Sequence, residues 1–172
     1  MPLTEKKYAE LQGVIRSGDL LFFRADVHGT IRQKIERWLV MKFTSSPFTH
    51  CGMVLIMGGR RWCVDMTTKG LSPRLLSTVG DFDIVPLPRN IQIKPSTIQW
   101  ICSKFGTLNY SRWRAILGGL GLLPDGESES SMCAEFVADA LEYDGYKDLP
   151  DKITPESLYQ WAVKMKEKEE SK

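Results

Sequence analysis

The sequence predicts an α+β fold, with a small antiparallel β-sheet or half-barrel packed against helices. Two patterns predict it. The apolar run Thr49-His50-Cys51-Gly52-Met53-Val54-Leu55-Ile56-Met57 has the length and composition of a buried strand, and the turn Gly58-Gly59-Arg60 returns it as Arg61-Trp62-Cys63-Val64-Asp65-Met66, a hairpin partner. Other segments carry apolar residues at helical spacing, and the last two of these, beginning at Cys133 and Thr154, follow all the strand-like runs.

The elements follow in chain order. Tyr8, Ala9, Leu11, Val14 and Ile15 form a rough helical stripe over residues 4–15 that ends at Ser17-Gly18, and a strand is expected from Asp19 to Arg24. A second helical period, Ile31, Ile35, Trp38, Leu39 and Phe43, stops before Ser45-Ser46-Pro47 and gives way to the His50 strand. After the hairpin, residues 70–76 suggest a short connection with a strand fragment, and Asp83-Ile84-Val85-Pro86-Leu87 another strand. Ile98, Ile101, Cys102 and Phe105 are spaced as a helix from Pro95 that closes at Gly106. Residues 107–130, broken by Gly118, Gly119, Gly121, Pro124 and Gly126, read as a loop or broken helix of the kind that borders a site. The Cys133 helix places Phe136, Val137, Ala140 and Leu141 on the face of Cys133 and stops at Gly145; Thr154-Pro155 then caps and starts the last helix.

Composition bounds the function. At 172 residues the chain is expected to be one domain, 1–172, with a helical extension at 1–16 and a frayed, charged tail at 164–172. With 23 basic and 21 acidic residues, a formal charge of +2, nothing calls for nucleic acid. The four cysteines form no CxxC pair and the two histidines, His28 and His50, match no zinc spacing, so neither a metal nor another cofactor is expected. Cys51 and Cys63 lie in apolar runs where a free cysteine is a small hydrophobe, which favours reduced thiols. Residues 1–7 lack the apolar core of a secretory signal and the run from Ala115 to Leu123 is too short to span a bilayer; a cytoplasmic location is the expectation, with release by lysis if the protein is phage-encoded.

Cys133 is the leading candidate for chemistry. It opens a helix behind Ser130 and Ser131, and a helix N-terminus favours the thiolate, the nucleophilic form. A base is needed, and His50 at a strand end can supply it; Asp65, on the hairpin partner, is the candidate to orient the imidazole. Each has a plainer reading: a buried structural cysteine, a core-edge histidine and a solvated strand aspartate. Cys51 is expected on the strand face opposite His50, which argues against it as a partner of the nucleophile. Tyr110 is a candidate to donate to an oxyanion, or a core residue. His28 reads as a surface histidine.

In their order, Gly18-Asp19-Leu20-Leu21-Phe22, Phe48-Thr49-His50-Cys51-Gly52-Met53-Val54-Leu55, Val64-Asp65 with Lys69-Gly70-Leu71, Gly106 to Tyr110, Met132-Cys133-Ala134-Glu135-Phe136-Val137 and Thr154 to Leu158 carry a resemblance over about residues 17–160. The chain resembles the circularly permuted NlpC-type branch of the papain-like superfamily, the YiiX-like and lecithin retinol acyltransferase-like branch, in which the histidine precedes the cysteine. The resemblance implies a permuted papain-like fold with Cys133 as nucleophile, His50 as base and Asp65 in the third position, and the Cys133 backbone N–H in the oxyanion hole. The long glycine-rich segment from Arg112 to Ser130 departs from relatives. The implied activity is a cysteine peptidase or amidase acting on a peptide-like or acyl substrate through an acyl-enzyme. The alternatives are an acyltransferase or thioesterase on a lipid or lipidated substrate, with peripheral lipid contact, and a catalytically silent binding or inhibitory module of the same fold.

Overall fold

The computed structural model describes residues 13–24, 47–67, 70–88, 93–106 and 133–171, together with Glu10. Five strands form one open sheet: β1 (Leu20–Arg24), β2 (Phe48–Met57), β3 (Arg60–Thr67), β4 (Gly70–Leu75) and β5 (Asp83–Val85), in the spatial order β4-β3-β2-β1-β5 with every neighbouring pair antiparallel. Among the described residues three helices follow the strands: α1 (Pro95–Ser103), α2 (Cys133–Asp144) and α3 (Pro155–Glu170). The α+β class read from the sequence is the one observed. The expected helices over 4–15 and 31–43 and the loop over 107–130, with Tyr110, His28 and the capping serines, lie wholly or mainly outside the described residues.

Strand alternation separates two apolar layers. Leu20, Phe22, Met53, Leu55, Val64 and Met66 face the helices and pack with Ile101, Phe136, Val137, Leu141 and Leu158. Leu21, Val54 and Cys63 point to the other face, where Leu76, Val79, Phe82 and Ile15 cover them. A sheet buried on both faces explains why β2 reads as an unbroken apolar run rather than an alternating one.

The residues 70–75, expected as a connection with a strand fragment, form a full strand. Thr67 pairs with Gly70, and β4 lies at the sheet edge, where Pro73, opposite Val64, needs no donor on its outer side. The last helix starts as its sequence indicates: Thr154 Oγ1 accepts from the Ser157 backbone N–H at 3.1 Å, Ser157 Oγ accepts from the Thr154 N–H at 2.9 Å, and Pro155 is the first helical residue. From α3, Tyr159 packs its ring 4.7 Å from that of Phe48 and 5.2 Å from that of Phe22, so this helix braces the start of β2. At the other end of the helix layer, buried Asp144 accepts from the Lys94 N–H at 2.8 Å and from Thr97 Oγ1 at 2.6 Å, tying the start of α1 to the end of α2.

Candidate active site

The site is built where β2 begins and α2 begins. The β1–β2 ladder is irregular there: Phe23 pairs with His50 but Arg24 pairs with Phe48, so Thr49 is an extra residue on β2. A bulge re-aims the side chain beside it, and the His50 imidazole is approached from both sides, by Asp65 on β3 and by Cys133 on α2. Phe23 packs its ring 5.5 Å from the imidazole.

Gly52 makes the His50–Asp65 contact possible. Gly52 stands directly opposite Asp65 in the β2–β3 ladder, so His50 and Asp65 are diagonal neighbours on one face. A Cβ on Gly52 would lie 2.9 Å from the Asp65 Cβ and 2.9 Å from the Val64 carbonyl oxygen. With no side chain at that point, His50 Nε2 reaches Asp65 Oδ2 at 2.9 Å. Because Nε2 is occupied, Nδ1 is the ring nitrogen free to exchange a proton with Cys133.

Asp65 has no exposed surface, and a buried carboxylate persists only with charged or hydrogen-bonding partners. It has two. Arg74 on β4 donates from Nε to Oδ1 at 3.2 Å and from Nη2 to Oδ2, and His50 supplies the other hydrogen bond. Burial pushes the Asp65 carboxyl towards protonation, but the hydrogen bonds and charges of His50 and Arg74 outweigh it and hold it below the ordinary carboxylate range.

Cys133 is the first residue of α2 and is 8% exposed. Its thiol interacts with both Cys51 and His50. The side-chain hydrogen bond from Cys51 favours the anion most; burial opposes it, and the charge and hydrogen bond of His50 add to the shift, so the Cys133 thiol lies well below its ordinary value. Cys51 moves the other way: donating to Cys133, and buried beside negative neighbours, it stays protonated. For His50, burial favours the neutral ring, but the Cys133 charge and the Asp65 and Cys133 hydrogen bonds override it and push its pKa up to about 10. The directions of these shifts favour a thiolate on Cys133 and an imidazolium on His50, with the Asp65 carboxylate behind the imidazole.

Cys51 corrects an expectation. It does face away from His50, within the helix-side layer, but that is the layer that holds α2, so it meets Cys133 rather than avoiding it. Arg74, Gly52 and Cys51 were not among the expected site residues. Glycine inside a strand is a signal of close approach; Arg74 carries none, because residues 70–76 read as a connection with only a strand fragment. All four cysteines are free thiols. Among the described residues no group of three or more His, Cys, Asp or Glu is arranged to hold a metal ion. Among them, too, no helix is long and apolar enough to cross a membrane.

Fold and site together define an α+β protein with a cysteine, a histidine and an aspartate converging at one end of a five-stranded antiparallel sheet. No protein-family profile matches the chain, and no curated protein does. Among solved structures the chain is similar to the metalloprotein YiiX from Escherichia coli O157:H7, at 11% identity and a TM-score of 0.48, over 79% of this chain and 69% of that one.

Proposed function

We propose that the protein is a cysteine-dependent hydrolase of acyl carbonyls, with Cys133 as nucleophile, His50 as proton carrier and Asp65 as the group that orients the imidazole. The observation that supports this reading best is the 2.9 Å His50 Nε2–Asp65 Oδ2 hydrogen bond, which leaves Nδ1 for a thiol at a helix start. The order along the chain, histidine before cysteine, also fits the permuted papain-like group that the sequence resembles.

The chemistry follows from the charge state. The Cys133 thiolate attacks the carbonyl carbon, and the developing oxyanion is met by the Cys133 backbone N–H, one of the first-turn donors with no partner inside the helix. The His50 imidazolium gives its proton to the departing amine or alcohol, leaving a thioester on Cys133. Neutral His50 then takes a proton from water, the hydroxide attacks the thioester, and the acid leaves as the thiolate–imidazolium pair is restored. Asp65 keeps the charge on the ring favourable throughout and does not itself take the proton.

A panel of acyl-peptide and acyl-lipid probes tests the reading and sorts amide from ester and thioester substrates. Hydrolysis that disappears in both Cys133→Ala and His50→Ala, with the fold retained by circular dichroism, is the expected result. Turnover that survives Cys133→Ala would remove Cys133 from the mechanism.

A further inference from the structure

We propose that Arg74 is a positioning residue of this site: its guanidinium fork fixes the Asp65 carboxylate in the one orientation that meets His50 Nε2, and so aims His50 Nδ1 at Cys133. The inference rests on the thiol-hydrolase reading above. It starts from the ladder. Asp65 stands opposite Gly52 on one side and Ser72 on the other. Its two partners are therefore both diagonal: His50, two residues before Gly52, reaches it from β2, and Arg74, two residues after Ser72, reaches it from β4. They approach from opposite ends of the strand.

An aspartate carboxylate turns easily about its last torsion, which is broad rather than confined to sharp wells. A single hydrogen bond to His50 would leave that rotation open. Arg74 removes it by binding both oxygens, Nε to Oδ1 at 3.2 Å and Nη2 to Oδ2, a planar two-point match that only a guanidinium provides. Oδ2 is shared between Arg74 and His50, so the plane that suits the fork also suits the imidazole. The charges balance as well: buried Asp65 faces Arg74 and His50, with Cys63 of its own strand beside Arg74, and Cys133 and Cys51 lie beyond the imidazole. The Arg74 side chain is 42% exposed, so its charge is carried at the surface while its donors point inward.

Full-length protein, Arg74→Met and Arg74→Lys test this by two readouts: the ring N–H proton of His50 by NMR, and the pH dependence of Cys133 alkylation by iodoacetamide. In the unaltered protein the Nε2 proton is held by Asp65 and gives a protected downfield signal. In Arg74→Met that signal broadens away and alkylation at neutral pH slows by about tenfold or more, the factor that one lost charge-assisted hydrogen bond corresponds to. Arg74→Lys keeps the charge but not the fork, so it fails in the same way; it also decides the matter if Arg74→Met does not fold. An unchanged ring proton and alkylation profile in Arg74→Met, or full rescue by lysine, overturns the positioning role. Failure of the thiol-hydrolase reading looks different: Cys133 of the unaltered protein then alkylates as an ordinary thiol, whatever the Arg74 variants do to the ring proton.

Discussion

Gly52 is glycine because Asp65 and His50 need the space. Gly52→Ala sets a methyl group 2.9 Å from the Asp65 Cβ and from the Val64 carbonyl oxygen, neither of which is the end of a flexible side chain. The expected cost is about 1–3 kcal/mol, as for other over-packed core positions, read as a lower urea midpoint, together with slower alkylation of Cys133 as the His50–Asp65 contact opens. An unchanged midpoint would show that the strands can part there at no cost. The candidate residues Cys133, His50 and Asp65 were legible in the sequence because each is a chemistry-bearing type at the start of an element or on a recognisable hairpin. Arg74 is not legible, since an arginine at the next-to-last position of an edge strand looks like any solvated arginine until the register is known. Cys51 is hard to read for a related reason: alternation gives its face, but only the placement of α2 reveals what that face meets.

At the scale of elements, α3 braces the site without entering it. Its capping box satisfies the Thr154 and Ser157 N–H groups, and Leu158, Trp161 and Ala162 are buried in the helix-side core. Thr154→Ala loses the side-chain acceptor for the Ser157 N–H and is expected to cost about 1 kcal/mol. A thermal melt reads this as a lower Tm, with little change in Cys133 reactivity at temperatures where the protein is folded. A large loss of reactivity without loss of stability would mean that α3 does more than brace Phe22 and Phe48 through Tyr159. The start of this helix is readable from Thr154-Pro155, as is the β2–β3 hairpin from its glycine turn, but its end is not: the helix runs on to Glu170 through residues 164–170, which the mixed charges suggest as a frayed tail. Strand β4 was harder to read, because Pro73 and the polar Ser72 and Arg74 suit an edge strand and a loop equally well.

For the whole molecule, the buried charges couple folding to pH from two directions. Asp65 and Cys133 are held below their ordinary values, so their stabilising contributions are present above those values and are lost as pH falls through the lowered ones. His50 is raised from 6.5 to about 10, so its contribution is complete below 6.5 and is lost progressively as pH rises to about 10. Stability is expected to be greatest in the neutral range. The difference between the unaltered protein and His50→Gln, measured by urea unfolding, should shrink from pH 6.5 towards pH 10. A difference that stays level all the way to pH 10 would mean that His50 is buried neutral.

The proposed chemistry depends on the charge state of Cys133, which the pH dependence of its alkylation, with the modified residue located by mass spectrometry, reads out. Cys133 is expected to react with iodoacetamide across the neutral range at a nearly constant rate, falling only well below its ordinary pKa of 9.0, and His50→Ala is expected to move this fall to higher pH. A Cys133 that becomes reactive only near pH 9.0, as an unassisted thiol does, would contradict that chemistry.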